Sequence, residues 1–188
     1  MYKQKESQMR FNRAFTLMRK FKTKRLNAIL LFCMLVLFAL QIVHFVKNDF
    51  ENREISAKVL RVIDGDTIEF LNNQENKIYK LRLFGIDAPE SKQSYGKKSK
   101  EYLENLIQKR EVKILVKNKD KYQRLVGIIF LEDKDINKEL VRVGLAHSYT
   151  DFSFKYLSSE HYAKTNKLGL WQEENVILPK DFRKKAKQ

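Results

Sequence analysis

The alternation of apolar and polar residues predicts a small β-rich domain in the second part of the chain. Short stretches rich in apolar and β-branched side chains are separated by turn-forming residues, a pattern typical of strands. The five stretches are AKVLRVI, TIEFL, IYKLRLFGI, EVKILVK and LVGIIFL. In the third, Lys80 and Arg82 alternate with Tyr79 and Leu81, so we expect one face of that strand in the core. The first three strands are expected to form a meander.

Three further segments have the spacing of helices. Residues 99–108 place Leu103 and Ile107 on one face, four residues apart as in successive helical turns. The sequences INKELVRVGLA and SSEHYAKTNKLGLW predict two more helices, each with a glycine near its end. One helix between the third and fourth strands and others after the fifth indicate an α+β fold. We expect a five-stranded OB-type barrel with about three helices.

A long apolar segment precedes this domain. Residues 26–46, LNAILLFCMLVLFALQIVHFV, contain no charged residue. At about 1.5 Å per residue this segment would reach about 31 Å, which matches the hydrocarbon core of a bilayer. The sequence predicts a single uncleaved transmembrane helix. A cleaved signal peptide is the alternative, although no small-residue cleavage site follows Leu40. A buried core helix is disfavoured by the preceding basic run MRKFKTKR.

The net charge of +15 is unevenly distributed. Residues 1–27 carry nine Lys or Arg against one Glu, whereas residues 56–173 have a net charge of +5. By the positive-inside rule, the N-terminus is expected in the cytoplasm and the domain outside, at the cell membrane. A cleaved helix would instead give a secreted form. The moderate positive charge of the domain favours a polyanionic partner.

The expected organisation has five parts. They are a basic cytoplasmic segment over residues 1–25, a transmembrane helix over 26–46, a linker over 47–55, the barrel domain over 56–173 and a basic tail over 174–188. The charged end of the tail is expected to be solvated. The sole cysteine, Cys33, lies in the apolar segment, which excludes a disulfide framework and a cysteine-based metal site. No sequence feature indicates a protein partner.

Carboxylates and arginines are concentrated in three short motifs of the domain. IDGDT contains Asp64 and Asp66, RLFGIDAPE contains Arg82, Asp87 and Glu90, and DKYQR contains Arg124. Carboxylates can bind a metal or deprotonate water, and guanidinium groups pair bidentately with phosphate oxygens. This combination suits hydrolysis of a phosphodiester. With oxygen donors and no Cys/His cluster, calcium or magnesium fits better than zinc.

In this order and spacing, the three motifs resemble those of the staphylococcal nuclease (thermonuclease) family. The later sequences LVRVGLA and GLW extend the resemblance over about 115 residues. Each motif alone is weak, but together they are specific. The resemblance implies a nuclease that hydrolyses DNA, RNA or both, with calcium favoured over magnesium or manganese. The alternative is a non-catalytic nucleic-acid-binding module at the membrane, as in family members that have lost the catalytic residues.

The resemblance also implies roles for the acidic motifs. Asp66 and Asp87 would bind the metal through their carboxylates, and Ala88 would add its backbone carbonyl. Glu90 corresponds to the general base that activates water. Asp64 is expected to support the turn behind these ligands rather than to bind the metal directly.

Basic and aromatic residues complete the implied site. Arg82 and Arg124 correspond to the two arginines that bind and stabilise the phosphate. Lys121 and Tyr122 match positions that contact a terminal phosphate. Tyr149 corresponds to an aromatic residue beside the bound base.

The segment after Glu90 departs from the family pattern. Only five residues separate Glu90 from Gly96, whereas a long loop follows the general base in the founding enzyme. Access of water and substrate to Glu90 is therefore expected to differ.

Overall fold

The computed structural model describes residues 31–42 and 53–186. The chain divides into two units, Met1–Asn48 and Asp49–Gln188. In the first unit, residues 31–42 form helix α1, whose apolar side chains are exposed. Among the described residues, no helix is long and apolar enough to cross a membrane. The two ends of the predicted transmembrane span, residues 26–30 and 43–46, and the predicted segment 1–25 lie outside the described residues.

The described residues of the second unit, 53–186, contain eight strands. They are β1 (Glu54–Asp64), β2 (Thr67–Asn72), β3 (Lys77–Leu83), β4 (Ile86–Asp87), β5 (Glu111–Lys119), β6 (Leu125–Leu131), β7 (Lys134–Asp135) and β8 (His147–Ser148). The main sheet has the order β3-β2-β1-β5-β6-β7, and a parallel pairing of β3 with β6 closes it. The predicted five-stranded barrel is therefore confirmed. Strand β1 begins two residues before the predicted domain boundary at residue 56, within the predicted linker.

Alternation along the strands explains the core. In β1, the side chains of Ile55, Ala57 and Val59 are buried, and the residues between them are exposed. Successive side chains of a strand point to opposite faces, so this period of two places one face inside the barrel. Buried apolar residues of all five long strands join one cluster with residues of the helices.

Four helices lie around the barrel. They are α2 (Gly96–Ile107), α3 (Ile136–Arg142), α4 (Leu157–Thr165) and α5 (Pro179–Lys185), and a 3₁₀ helix covers Gly169–Gln172. Helix α2 begins three residues before the predicted start at residue 99. The predicted helix that begins at residue 158 and stops at Gly169 ends earlier, at Thr165. Helix α5 lies within the predicted basic tail, so that tail is not simply an extended solvated segment.

A buried asparagine ties α3 to the end of the barrel. Asn137 is completely buried, and its side-chain nitrogen donates to the carbonyls of Phe84, at 3.0 Å, and Gly127, at 3.2 Å. Its side-chain oxygen accepts from the N–H of Ile129 at 3.1 Å. Buried polar groups cost free energy unless they are paired, so these bonds fix the end of β3 relative to β6.

Candidate active site

The turn between β1 and β2 places Asp66 at one end of the barrel. Asp64 accepts a hydrogen bond from the N–H of Asp66 at 3.0 Å, which closes the turn. A Cβ on Gly65 would lie 2.2 Å from Oγ of Ser99 in α2, so only glycine allows this close approach. The Asp66 carboxylate accepts from the N–H of Ala88 at 2.7 Å. The contact to Ala88 is thus made by its N–H, and the metal-binding role predicted for its carbonyl stays a prediction.

Strands β3 and β4 bring Arg82 and Asp87 to the same place. Arg82 pairs with Thr67 across the β2–β3 ladder, next to the Asp66 turn. Its guanidinium contacts the carboxylate of Asp66 and donates to Oδ1 of Asp87 at 2.7 Å. Asp87 is 3% exposed and lies in β4, which pairs with β8 through His147. Three separate segments thus converge on one buried ion-pair network.

The loop after Asp87 carries Glu90 at the edge of this network. The carbonyl of Glu90 accepts from the N–H of Gln93 at 2.8 Å, and its own N–H donates to the Gln93 side chain at 3.2 Å. A Cβ on Gly96 would lie 1.9 Å from the Glu90 carbonyl oxygen, so the short loop packs closely on the start of α2. We define the carboxylate cluster as Asp66, Asp87 and Glu90.

The sequence did not indicate the fifth charged residue of the site, Arg183 in α5. Its Nη2 donates to Oδ2 of Asp87 at 2.9 Å, and its Nη1 donates to Oδ1 of Asp87 at 3.2 Å. Nη1 also donates to Oε1 of Glu90 at 2.8 Å. The expectation of a solvated tail is therefore wrong for Arg183. A basic run has no periodicity that would mark one of its members as a partner of Asp87 and Glu90.

Burial and ion pairing act in opposite directions on the two arginines. Burial holds the pKa of Arg82 below its ordinary value, although Asp87 and Asp64 act to raise it. Burial also acts to lower the pKa of Arg183, but its bonds with Asp87 and Glu90 outweigh this effect and raise that pKa. Burial raises the pKa of Asp64. Guanidinium groups stay protonated in proteins, so both arginines are cations.

The carboxylate cluster fits a hard cation by its chemistry. Its carboxylate oxygens are the donors that calcium and magnesium prefer, and the guanidinium cations of Arg82 and Arg183 already stand among them. In the described part of the chain, no group of three or more His, Cys, Asp or Glu side chains is arranged to hold a metal ion. Arg183 is bonded to both oxygens of Asp87, so a metal ion at this carboxylate would compete with the guanidinium for oxygen lone pairs.

The DKYQR motif lies at the start of β6. Arg124 donates through Nε to Oδ2 of Asp120 at 2.8 Å, and it acts on Arg82 and Asp64 through its charge. Tyr122 is 68% exposed, with Lys121 Nζ 5.1 Å from its ring centroid. Arg124 precedes Leu125, which pairs with Leu81 next to Arg82, so it lies near the network. Lys121 and Tyr122 are exposed to solvent.

The predicted base-contacting residue, Tyr149, follows β8. Its N–H donates to the carbonyl of Gly85 at 2.9 Å, next to β4, and its ring lies 4.9 Å from that of Phe152. Phe152 is 68% exposed. This aromatic pair borders the strand that carries Asp87, and its predicted contact with a base stays a prediction.

The chain is similar in sequence to known nucleases. A family model described as staphylococcal nuclease homologue matches residues 80–173, a range that begins after Asp66. A Haemophilus influenzae protein named an uncharacterized endonuclease is 34% identical over 155 residues, 81% of this chain and 86% of that protein. A Shigella flexneri protein named micrococcal nuclease is 30% identical over 147 residues, 71% of this chain and 83% of that protein.

Proposed function

Because the chain belongs to the staphylococcal nuclease homologue family and is a nuclease that hydrolyses phosphodiester bonds, we propose that the carboxylate cluster and its arginines form a calcium-dependent active site. The observation that carries the proposal is the convergence of Asp66, Arg82 and Asp87 from separate segments, with Glu90 at the edge. Metal-dependent hydrolysis needs acidic ligands, a base for water and cations for the phosphate, and the site offers all three.

Glu90 is the residue proposed to take a proton from water. Its side chain is 41% exposed, whereas that of Asp87 is 4% exposed. A base must reach a water molecule, and a metal ligand is better held when buried among fixed donors. This difference in exposure supports the division of roles between the two carboxylates.

Asp66 and Asp87 would hold the metal, together with the carbonyl of Ala88. A bound calcium ion would supply positive charge at the phosphate oxygens and lower the pKa of a bound water. The oxygen donors support calcium or magnesium, and the family resemblance favours calcium. Arg82 would position both carboxylates through its ion pairs with them, and its guanidinium would also bind the phosphate. Arg124 would be the second phosphate-binding arginine.

A single substitution tests this assignment. In the purified full-length chain, we expect Glu90→Gln to lower calcium-dependent hydrolysis of DNA or RNA by about 10²–10⁴-fold, because the amide cannot accept a proton from water. Glu104→Gln is the matched control, since it removes one negative charge from an ion pair with Lys100 on α2. Unchanged hydrolysis by the Glu90→Gln variant would show that the general base has been misassigned.

The substrate is proposed to be DNA, RNA or both, and the products to carry 3′-phosphate ends. The exposed Lys121 and Tyr122 beside Arg124 support contact with a polyanion and a planar group. End-labelling of the products determines the polarity of cleavage. Products with 5′-phosphate ends would contradict the proposed direction of attack.

We also propose that residues 26–46 tether the nuclease to a bilayer, with the domain outside. The support is the uncharged apolar sequence and the exposure of apolar side chains along α1. Protease added to intact cells is expected to remove the domain. Complete protection, with a known outer-surface protein cleaved in the same sample, would reverse the orientation.

A further inference from the structure

The C-terminal segment crosses the short loop that follows Glu90. Gln93 donates through its side-chain nitrogen to the carbonyl of Ile177, at 2.5 Å, and Ser94 donates to the carboxylate of Glu173. These contacts are made before α5 begins at Pro179, so they direct the helix back towards the barrel end. We define the strap as residues 173–185.

The strap ends with a cation on the carboxylate cluster. Arg183 uses both terminal nitrogens on the two oxygens of Asp87, and one of them also reaches Glu90. A guanidinium that pairs in this bidentate way takes a lone pair on each oxygen, and its positive charge repels a second cation at the same carboxylate. Both the proposed metal ligand and the proposed base are therefore engaged by one side chain.

Arg183 is less buried than Arg82, the arginine inside the barrel. The side chain of Arg183 is 39% exposed, against 16% for Arg82. Helix α5 has seven residues, and Pro179 is its only buried residue. Its last turn is basic, with Lys184 and Lys185 exposed. A short helix with so little buried surface can detach at low cost in free energy, without unfolding the barrel.

We propose that Arg183 is an intramolecular competitor of the metal, so that docking of the strap and binding of calcium at Asp87 exclude each other. This inference rests on the proposed calcium-dependent function. In the docked state the nuclease is closed to metal, and calcium opens it by displacing Arg183. The apparent affinity for calcium is then reduced by the fraction of molecules in which the strap is docked.

Isothermal titration calorimetry of the full-length chain with calcium alone tests the competition without measuring hydrolysis. We expect Arg183→Gln to bind calcium at least about tenfold more tightly than the unchanged chain. A tenfold change corresponds to a strap that is docked in about 90% of the unchanged molecules, because only the remaining tenth can bind calcium. Lys184→Gln is the matched control, because it makes the same charge change in the same helix on a side chain that is 76% exposed. Its calcium affinity should stay within about twofold of the original, since exposed charges are strongly screened.

A second variant weakens docking of the strap through a substitution that does not touch the carboxylate cluster. Ser94→Ala removes the bond to Glu173 and leaves Asp87, Glu90 and Arg183 unchanged. We expect it to tighten calcium binding by about threefold, the effect of losing one ordinary hydrogen bond in the docked state. Thermal unfolding of each variant without calcium verifies that the barrel is folded, so a variant that fails to fold is not counted.

Hydrogen exchange followed by mass spectrometry measures the strap itself. Calcium is expected to increase exchange of the amides of residues 180–186 in the original chain. In Arg183→Gln these amides should exchange fast with or without calcium. Equal calcium affinities for all variants, or weaker binding by Arg183→Gln, would overturn the competition and leave the proposed nuclease site intact. Absence of calcium binding in every variant would instead contradict the metal-dependent function, and the competition with it.

Discussion

The two arginines of the site differ in how the fold holds them. Arg82 lies on β3 in the middle of the closed sheet, with its neighbours fixed by ladder hydrogen bonds on both sides. Arg183 lies on a seven-residue helix at the end of the chain and is held by Asp87 and Glu90 themselves. Both are cations on the carboxylate of Asp87, yet only Arg82 is preorganised by the barrel. The difference suggests a permanent part of the active site and a removable one.

The largest effect should come from the permanent arginine. We expect Arg82→Lys to lower phosphodiester hydrolysis by about 10²–10³-fold, because an ammonium group cannot contact Asp66 and Asp87 and also present a planar fork to phosphate. Steady-state rates on a defined oligonucleotide measure this loss. Lys80→Gln, on the exposed face of the same strand, should change the rate by less than about threefold. A hydrolysis rate for Arg82→Lys equal to that of the original chain would contradict the role of Arg82 as a permanent part of the active site.

The barrel end that holds Arg82 depends on Asn137. We expect Asn137→Ala to lower the free energy of unfolding by about 3 kcal/mol, since it removes the three hydrogen bonds that join α3 to the end of β3 and to β6. Urea denaturation measures this change. Asn166→Ala, which removes one exposed bond to the Tyr162 carbonyl, should cost less than about 1 kcal/mol. Equal decreases in the free energy of unfolding for the two variants would show that the bonds of Asn137 do not stabilise this end of the barrel.

The smallest effect concerns the strand opposite Asp87. In α4, the carboxylate of Glu160 accepts from the N–H of Ser148 at 3.1 Å and from Lys164 at 3.0 Å. Burial acts to raise the pKa of Glu160, but the bonds from His147 and Lys164 outweigh it and hold that pKa below 4.5. The ionised carboxylate therefore stabilises the fold above about pH 4.5, and this contribution is lost as the pH falls through the lowered pKa.

Stability measured against pH tests this contribution. We expect the original chain to lose about 1–2 kcal/mol more than Glu160→Gln as the pH falls below 4.5, in line with hydrogen bonds to a charged group. Above that pH the variant should be less stable by a similar amount. If the free energy of unfolding changes with pH in the same way for both proteins, Glu160 does not stabilise β8.

Much of the barrel could be predicted because its signals are local. The alternation in AKVLRVI and IYKLRLFGI follows directly from one buried and one exposed face, and the structure has strands there. The motifs that contain Asp66, Arg82 and Asp87 were recognisable because each combines turn or strand residues with charged ones. These three residues come together in space because the barrel closes. Closure is a long-range property, which no single motif indicates.

The remaining features depend on tertiary contacts that leave no local pattern. Strands β4 and β8 have two residues each, too few for any periodicity. Arg183 resembles the other cations of a basic tail, and only the path of the strap across Gln93 and Ser94 brings it to Asp87. Sequence reasoning therefore located the permanent part of the site and missed its removable part.

The central claim is that the carboxylate cluster makes phosphodiester hydrolysis depend on a hard divalent cation. The most direct measurement is cleavage of DNA and RNA by the purified full-length chain, with calcium and with a chelator, beside the Asp87→Asn variant. We expect cleavage with calcium, none with the chelator, and little or none by the variant under either condition. Cleavage that persists in the chelator, or an Asp87→Asn variant as active as the original chain, would contradict the claim.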